Sequence, residues 1–93
     1  MPTVSDAPER SRYELIDDAG EVLGHVRYRY DGDVLDLLHT EIDDGHEGEG
    51  LGGTLARGVL DDARGRGLRV RPTCPFIAGW IEKHPDYADL VTR

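Results

Sequence analysis

Residues 48–53 hold four glycines, and the chain runs from them straight into a helical pattern. Glycine tolerates backbone angles that other residues resist, at a cost in chain entropy. A helix N-terminus also presents N–H groups without helical partners, and a partial positive charge. Glycines at such a junction therefore fit one of two roles. They form a plain surface loop, or they bring backbone amides close to an anion, phosphate above all. The order of elements around the junction has to decide between them.

Residues 1–10 carry no hydrophobic periodicity and are expected to form a disordered tail, with residues 11–93 as a single domain. A strand is expected over residues 12–17, followed by a turn at Asp18-Ala19-Gly20-Glu21. From Val22 to Tyr30 alternation is clear. Val22, Gly24, Val26, Tyr28 and Tyr30 share one face, and Leu23, His25, Arg27 and Arg29 the other. Asp31-Gly32-Asp33 reads as a hairpin turn. The third strand spans Val34 to Ile42, with Leu35 and Leu37 on one side and Leu38, Thr40 and Ile42 on the other. Apolar residues on both sides point to a central strand with a bulge.

The helix after the glycines runs from about Leu51 to Arg64, with Leu51, Leu55, Val59, Leu60 and Ala63 as its apolar stripe. Gly65 or Gly67 ends it. Leu68 to Thr73 is a further strand, expected to lie parallel to the third through a right-handed crossover. Pro75 opens a second helix, which ends near His84 before Pro85. Residues 86–91 have room for one more helical turn. The fold class is thus α+β, three antiparallel strands followed by helix, strand and helix. The glycine loop sits at the carboxyl end of the third strand, the edge where ligands of open α/β sheets gather.

Two common phosphate motifs fail. Gly48, Gly50 and Gly53 spell Gly-x-Gly-x-x-Gly, but five residues, Asp43 to Glu47, separate them from the strand. The next strand also lacks the acidic residue that a dinucleotide ribose needs. A P-loop requires lysine after its glycines, and Gly52-Gly53-Thr54 has none.

The junction instead resembles the signature of the GNAT superfamily of N-acetyltransferases, Arg/Gln-x-x-Gly-x-Gly/Ala, here Glu47-Gly48-Glu49-Gly50-Leu51-Gly52. The chain is most similar to a small branch of that superfamily. It shares His39-Thr40-Glu41-Ile42 before the loop, Pro72-Thr73-Cys74-Pro75-Phe76 after the next strand, and His84-Pro85-Asp86-Tyr87 near the end. The likeness extends over residues 12–91.

The resemblance implies that loop amides and the helix N-terminus hold the pyrophosphate of acetyl-CoA. It also implies that the pantetheine arm enters where two parallel strands part. The acetyl-CoA contacts that this implies fall on Ile42, Glu47, Gly48, Glu49, Gly50, Leu51, Gly52, Gly53 and Thr54. On the second helix, the small Gly79 lets a pantetheine arm pass or the helix pack on the sheet, and Lys83 meets the outer phosphates of CoA or stands as a surface cation. Glu47 departs from the Arg/Gln of the pattern, so it is expected to point outward and leave binding to the amides.

Transfer of an acetyl group needs a base for the amine and a proton for the leaving thiolate. Cys74, at the start of the second helix, is a candidate acetyl carrier, and equally a small buried hydrophobe. His39 and Glu41, two apart on one strand, share a face and are candidate bases. The acidic cluster with His46 has neither EF-hand nor paired-histidine spacing, so no metal is expected.

The expected activity is acetyl-CoA-dependent acetylation of an amine. The alternative is an acyl-CoA-binding or sensing module without efficient catalysis. The net charge of −8 argues against nucleic acid and favours a cationic acceptor, such as a polyamine or basic peptide. No apolar run is long enough to span a membrane. A single cysteine permits no internal disulfide. The polar N-terminus lacks the form of a secretory leader, so a cytoplasmic location is expected.

Overall fold

A five-stranded sheet in the order β1-β2-β3-β4-β5 carries the protein. The computed structural model describes residues 2–43 and 50–92. Its strands are β1 (Thr3–Ala7), β2 (Arg12–Ile16), β3 (Val22–Asp31), β4 (Val34–Ile42) and β5 (Arg69–Pro72). The helices are α1 (Leu51–Gly65) and α2 (Pro75–Lys83), with short 3-10 turns at Pro8–Arg10 and Pro85–Leu90. β1 to β4 pair antiparallel in sequence order. β5 runs parallel to β4, as a helical crossover requires.

The expected disordered tail is corrected: residues 3–7 are an edge strand, and four antiparallel strands precede α1 rather than three. The partners that order this segment are remote in sequence. Val4 seats against Gly58 of α1, where even one added methyl would come 2.3 Å from Val4 Cγ2. The Asp6 carboxylate accepts from Tyr28 Oη at 2.6 Å and pairs with Arg66 Nη1 at 3.2 Å. Tyr13 Oη donates to Asp62 of α1 at 2.5 Å, and burial, followed by that bond, raises its pKa. These contacts tie the first three strands to the helix.

Both helices cover one face of the sheet. Leu55, Ala56, Val59, Leu60 and Ala63 of α1 and Ile77 and Ile81 of α2 meet Tyr13, Leu15, Val26, Tyr28, Leu35 and Leu37 in one buried cluster. Burying such side chains contributes roughly 1.5–3 kcal/mol each before chain entropy is counted. Among the described residues the other face of the sheet carries no helix.

The bulge expected in the third strand is present, and it changes which side chains share a face. Arg27 lies opposite His39, but Tyr28 lies opposite Leu37, so Leu38 has no partner across the ladder. The extra residue resets the alternation. Thr40 and Ile42 therefore turn to the helix-covered side with Leu35 and Leu37, not to the opposite side as simple alternation predicts. Thr40 Oγ1 accordingly lies 3.2 Å from the buried Cys74 Sγ, and Ile42 packs on the core.

Candidate functional site

Parallel pairing of β4 and β5 covers only Val34–Leu37 against Arg69–Pro72. The last link is a hydrogen bond from the Cys74 amide to the Leu37 carbonyl, 2.8 Å. Beyond it β4 continues to Ile42, while the chain from β5 turns away into α2 at Pro75. Among the described residues no strand lies along the β5-side edge of Leu38–Ile42. Backbone amides and carbonyls on such an edge are ready partners for an extended ligand.

The N-terminus of α1 meets the same opening. Gly50 precedes the helix with φ +76, a left-handed value that glycine adopts freely. Among the described residues no side chain caps this end. The first helical bond is from the Thr54 amide to the Gly50 carbonyl, 3.3 Å, so the N–H groups of Leu51, Gly52 and Gly53 have no acceptor within the helix. Thr54 is exposed, and its hydroxyl lies 3.4 Å from that same carbonyl.

Gly52 and Gly53 also have a packing role. A methyl on Gly52 would come 2.7 Å from Phe76 Cζ, and one on Gly53 would come 3.3 Å from Trp80 Nε1. These glycines let the first turn of α1 approach α2, whose own start is held to β4 through Cys74 at Leu37 and Thr40. Phe76, 45% exposed, lies against Gly52 at the start of α1. Gly79 and Lys83 follow it at helical spacing along α2; Gly79 has open space above it and Lys83 is exposed.

Beside this helix end lies an open cleft of about 790 Å³, bordered by Gly50, Gly53, Thr54, Arg57, Trp80 and His84. The imidazole of His84 stacks on Trp80 with ring centroids 3.8 Å apart. The Arg57 guanidinium lies 5.3 Å from the Trp80 ring centroid and donates to Tyr87 Oη at 3.2 Å. Sequence reasoning missed Arg57 and Trp80. Helical projection from Gly53 would have placed Arg57 one turn on, along the same side.

The three candidate catalytic residues do not come together. Cys74 is 3% exposed and faces the helix-covered side, where its thiol meets Thr40. His39 and Glu41 flank Thr40 and therefore point to the helix-free face. There Glu41, its side chain 60% exposed, lies opposite His25, with Oε2 at 3.7 Å from His25 Nε2. Burial lowers the His25 pKa, Arg12 lowers it further, and Glu41 raises it. Of the residues that the likeness assigned to acetyl-CoA, Glu47, Gly48 and Glu49 lie outside the described residues, as does His46.

This arrangement combines a parallel pair that parts, an uncapped glycine-lined helix end at the gap, and carboxylate and imidazole on the open face beside it. The sequence matches the profile of the GCN5-related N-acetyl-transferase family over residues 12–90.

The chain belongs to the GCN5-related N-acetyltransferases.

Protein NATD1 of Bos taurus is 36% identical over 59 residues, which cover 62% of this chain and 52% of the relative. Protein NATD1 of Homo sapiens is 34% identical over the same length, with 62% and 52% covered. The chain thus spans about half the length of these curated relatives. Among solved structures, a GCN5-like protein of Staphylococcus aureus determined by NMR superposes with a TM-score of 0.72 and 26% identity. That match covers 96% of this chain and 86% of the other. The GNAT-like α+β fold inferred from the sequence is therefore the fold observed. No helix among the described residues is long and apolar enough to cross a membrane.

Proposed function

We propose that the protein binds acetyl-CoA in the gap between β4 and β5 and transfers the acetyl group directly to an amine. The observation that carries this reading is the end of parallel pairing at Leu37 and Pro72, together with a helix end that no described side chain caps. The pantetheine arm pairs with the free edge of β4 at Leu38–Ile42. The amides of Leu51, Gly52 and Gly53 take the pyrophosphate. Lys83 and Arg57 are the nearby cations for the outer phosphate, with the cleft along α1 as its space.

The acceptor amine approaches from the helix-free face, where Glu41 or His39 accepts its proton. The neutral nitrogen attacks the thioester carbonyl, the C–S bond breaks, an amide forms, and the CoA thiolate leaves and is protonated. Direct transfer is favoured over an acetyl-Cys74 intermediate because the Cys74 thiol is buried and faces away from Glu41 and His39.

Calorimetric titration with acetyl-CoA, CoA and NADPH is the test. Saturable heat is expected with both CoA species and none with NADPH. Heat with neither CoA species would remove the proposal. Mass spectrometry after acetyl-CoA incubation is expected to find no acetyl adduct on Cys74, and Cys74→Ala is expected to keep the transfer rate within about threefold. Binding without transfer to any amine would leave an acyl-CoA-sensing module.

A further inference from the structure

The helix-free face of the sheet is unlike the rest of this acidic protein. Its strands carry Arg12, Arg27, Arg29, Arg69 and Arg71, with Arg10 beside them, six of the ten arginines in the chain. Two carboxylates on it are buried, each between a pair of guanidinium groups. Glu14 is held by Arg10 at 3.0 Å and Arg12 at 2.7 Å. Asp36 lies 3.4 Å from Arg29 and 3.6 Å from Arg71, with the Thr73 hydroxyl also bonded to it. The acids are thus already matched.

Strand register sorts the remaining groups into two adjacent rows beside the gap. Arg12, Arg27 and His39 lie directly opposite one another across β2, β3 and β4. Glu14, His25 and Glu41 form the neighbouring row. Like charges placed directly across a ladder repel. Arg12 is relieved by Glu14, and Glu41 is engaged by His25. Arg27 is exposed and makes no ion pair with any described residue, between Arg12 on one side and His39 on the other. An anion arriving on this face relieves the repulsion between Arg27 and Arg12.

Resting on the acetyl-transfer reading above, we propose that the acceptor is an amine carrying its own anionic group. Its nitrogen lies at Glu41 and its anion on Arg27 of the helix-free face. Arg27 and Glu41 are diagonal neighbours across the β3–β4 pair, with backbone positions roughly 7–8 Å apart. Their side chains close on a small zwitterion such as a short amino-carboxylate. Arg27 is then the specificity-determining residue, and the acidic surface elsewhere on the protein does not select the acceptor.

The test is CoA release from acetyl-CoA with glycine, 4-aminobutyrate and taurine, compared with butylamine and spermidine. At least one amino-anion is expected to exceed butylamine in kcat/KM by about 10-fold or more, the worth of one charge-assisted hydrogen bond. In Arg27→Gln that ratio collapses toward one through a rise in KM for the amino-anion, and Arg27→Lys restores part of it. Preference for spermidine or butylamine, or an unchanged ratio in Arg27→Gln, overturns the proposal.

If no probe is acetylated, NMR titration of the CoA-loaded protein with 4-aminobutyrate decides. A saturable shift of the Arg27 Nε resonance and the His39 ring is expected. No shift overturns the assignment. Absence of acetyl-CoA binding by calorimetry would instead sink the transfer reading, leaving the Arg27 titration of the free protein to judge the anion site.

Discussion

Gly24 supports the end of β4 that carries Glu41, and Gly24→Ala is the sharpest perturbation of the site that removes none of its chemical groups. Gly24 lies opposite Ile42 on the helix-covered side. An added methyl would come 2.7 Å from the Glu41 carbonyl oxygen and 2.7 Å from Ile42 Cδ1. Contacts below 3.0 Å are essentially never tolerated, so β4 must retreat by at least about 0.3 Å. The isoleucine methyl can swing aside, but the carbonyl is fixed in the ladder. Overpacking of this kind costs about 1–3 kcal/mol. Replacing glycine within a strand returns about 0.5–1 kcal/mol. The net expectation is a loss of about 1–2 kcal/mol.

A displaced strand end also moves Glu41 and the edge proposed to bind acetyl-CoA, so on that proposal acetyl transfer should fall roughly 10-fold, given the steep dependence of rate on position. Urea unfolding followed by Trp80 fluorescence measures the first effect, and CoA release the second. Gly65→Ala is the matched control. It has open space and a helical setting, and should stabilise by a few tenths of a kcal/mol up to about 1 kcal/mol. Ile42→Val in the Gly24→Ala background removes only the side-chain clash and should recover less than half of the stability. An unfolding midpoint for Gly24→Ala equal to that of the parent would refute the assigned close approach.

Two further expectations concern the sheet. Hydrogen bonds from Arg10, aided by Arg12, hold the Glu14 carboxyl below its ordinary range near 4.5. Its folded pKa is thus depressed, so the stability it contributes is complete above about pH 4.5 and is lost as the pH falls through the lower folded value. Glu14→Gln should destabilise by about 1–3 kcal/mol near pH 7. The gap between the thermal melts of parent and variant should narrow as the pH falls below about 4.5, and a gap that widens there would contradict the sign. Asp6→Asn weakens the contacts of β1 with Tyr28 and Arg66 and should cost about 1–2 kcal/mol. Amide exchange should then quicken in residues 3–7 ahead of the rest of the sheet, whereas uniform protection would show that β1 is held otherwise.

The glycines show how far one dimension of information reaches. Their density beside an amphipathic helix marked the junction, and Gly50 does take the left-handed conformation that such a junction uses. That Gly52 also gives Phe76 its seat was not legible, because residue 76 meets residue 52 only after the helices pack. The edge strand was missed for the same reason. Thr3–Ala7 has no pattern of its own, and its partners, Gly58, Tyr28 and Arg66, are far along the chain.

Local rules therefore determined the element order from β2 onward, the periodicity of β3, the helix stripe and the GNAT-like junction, since each depends on neighbours within a turn or a strand. Tertiary structure alone decided the faces. One unpaired residue, Leu38, reverses the alternation of β4, turns Thr40 toward Cys74, and leaves His39 and Glu41 on the opposite side. Cross-strand register then set Arg27 between Arg12 and His39, a juxtaposition that exists only once three separate strands are aligned.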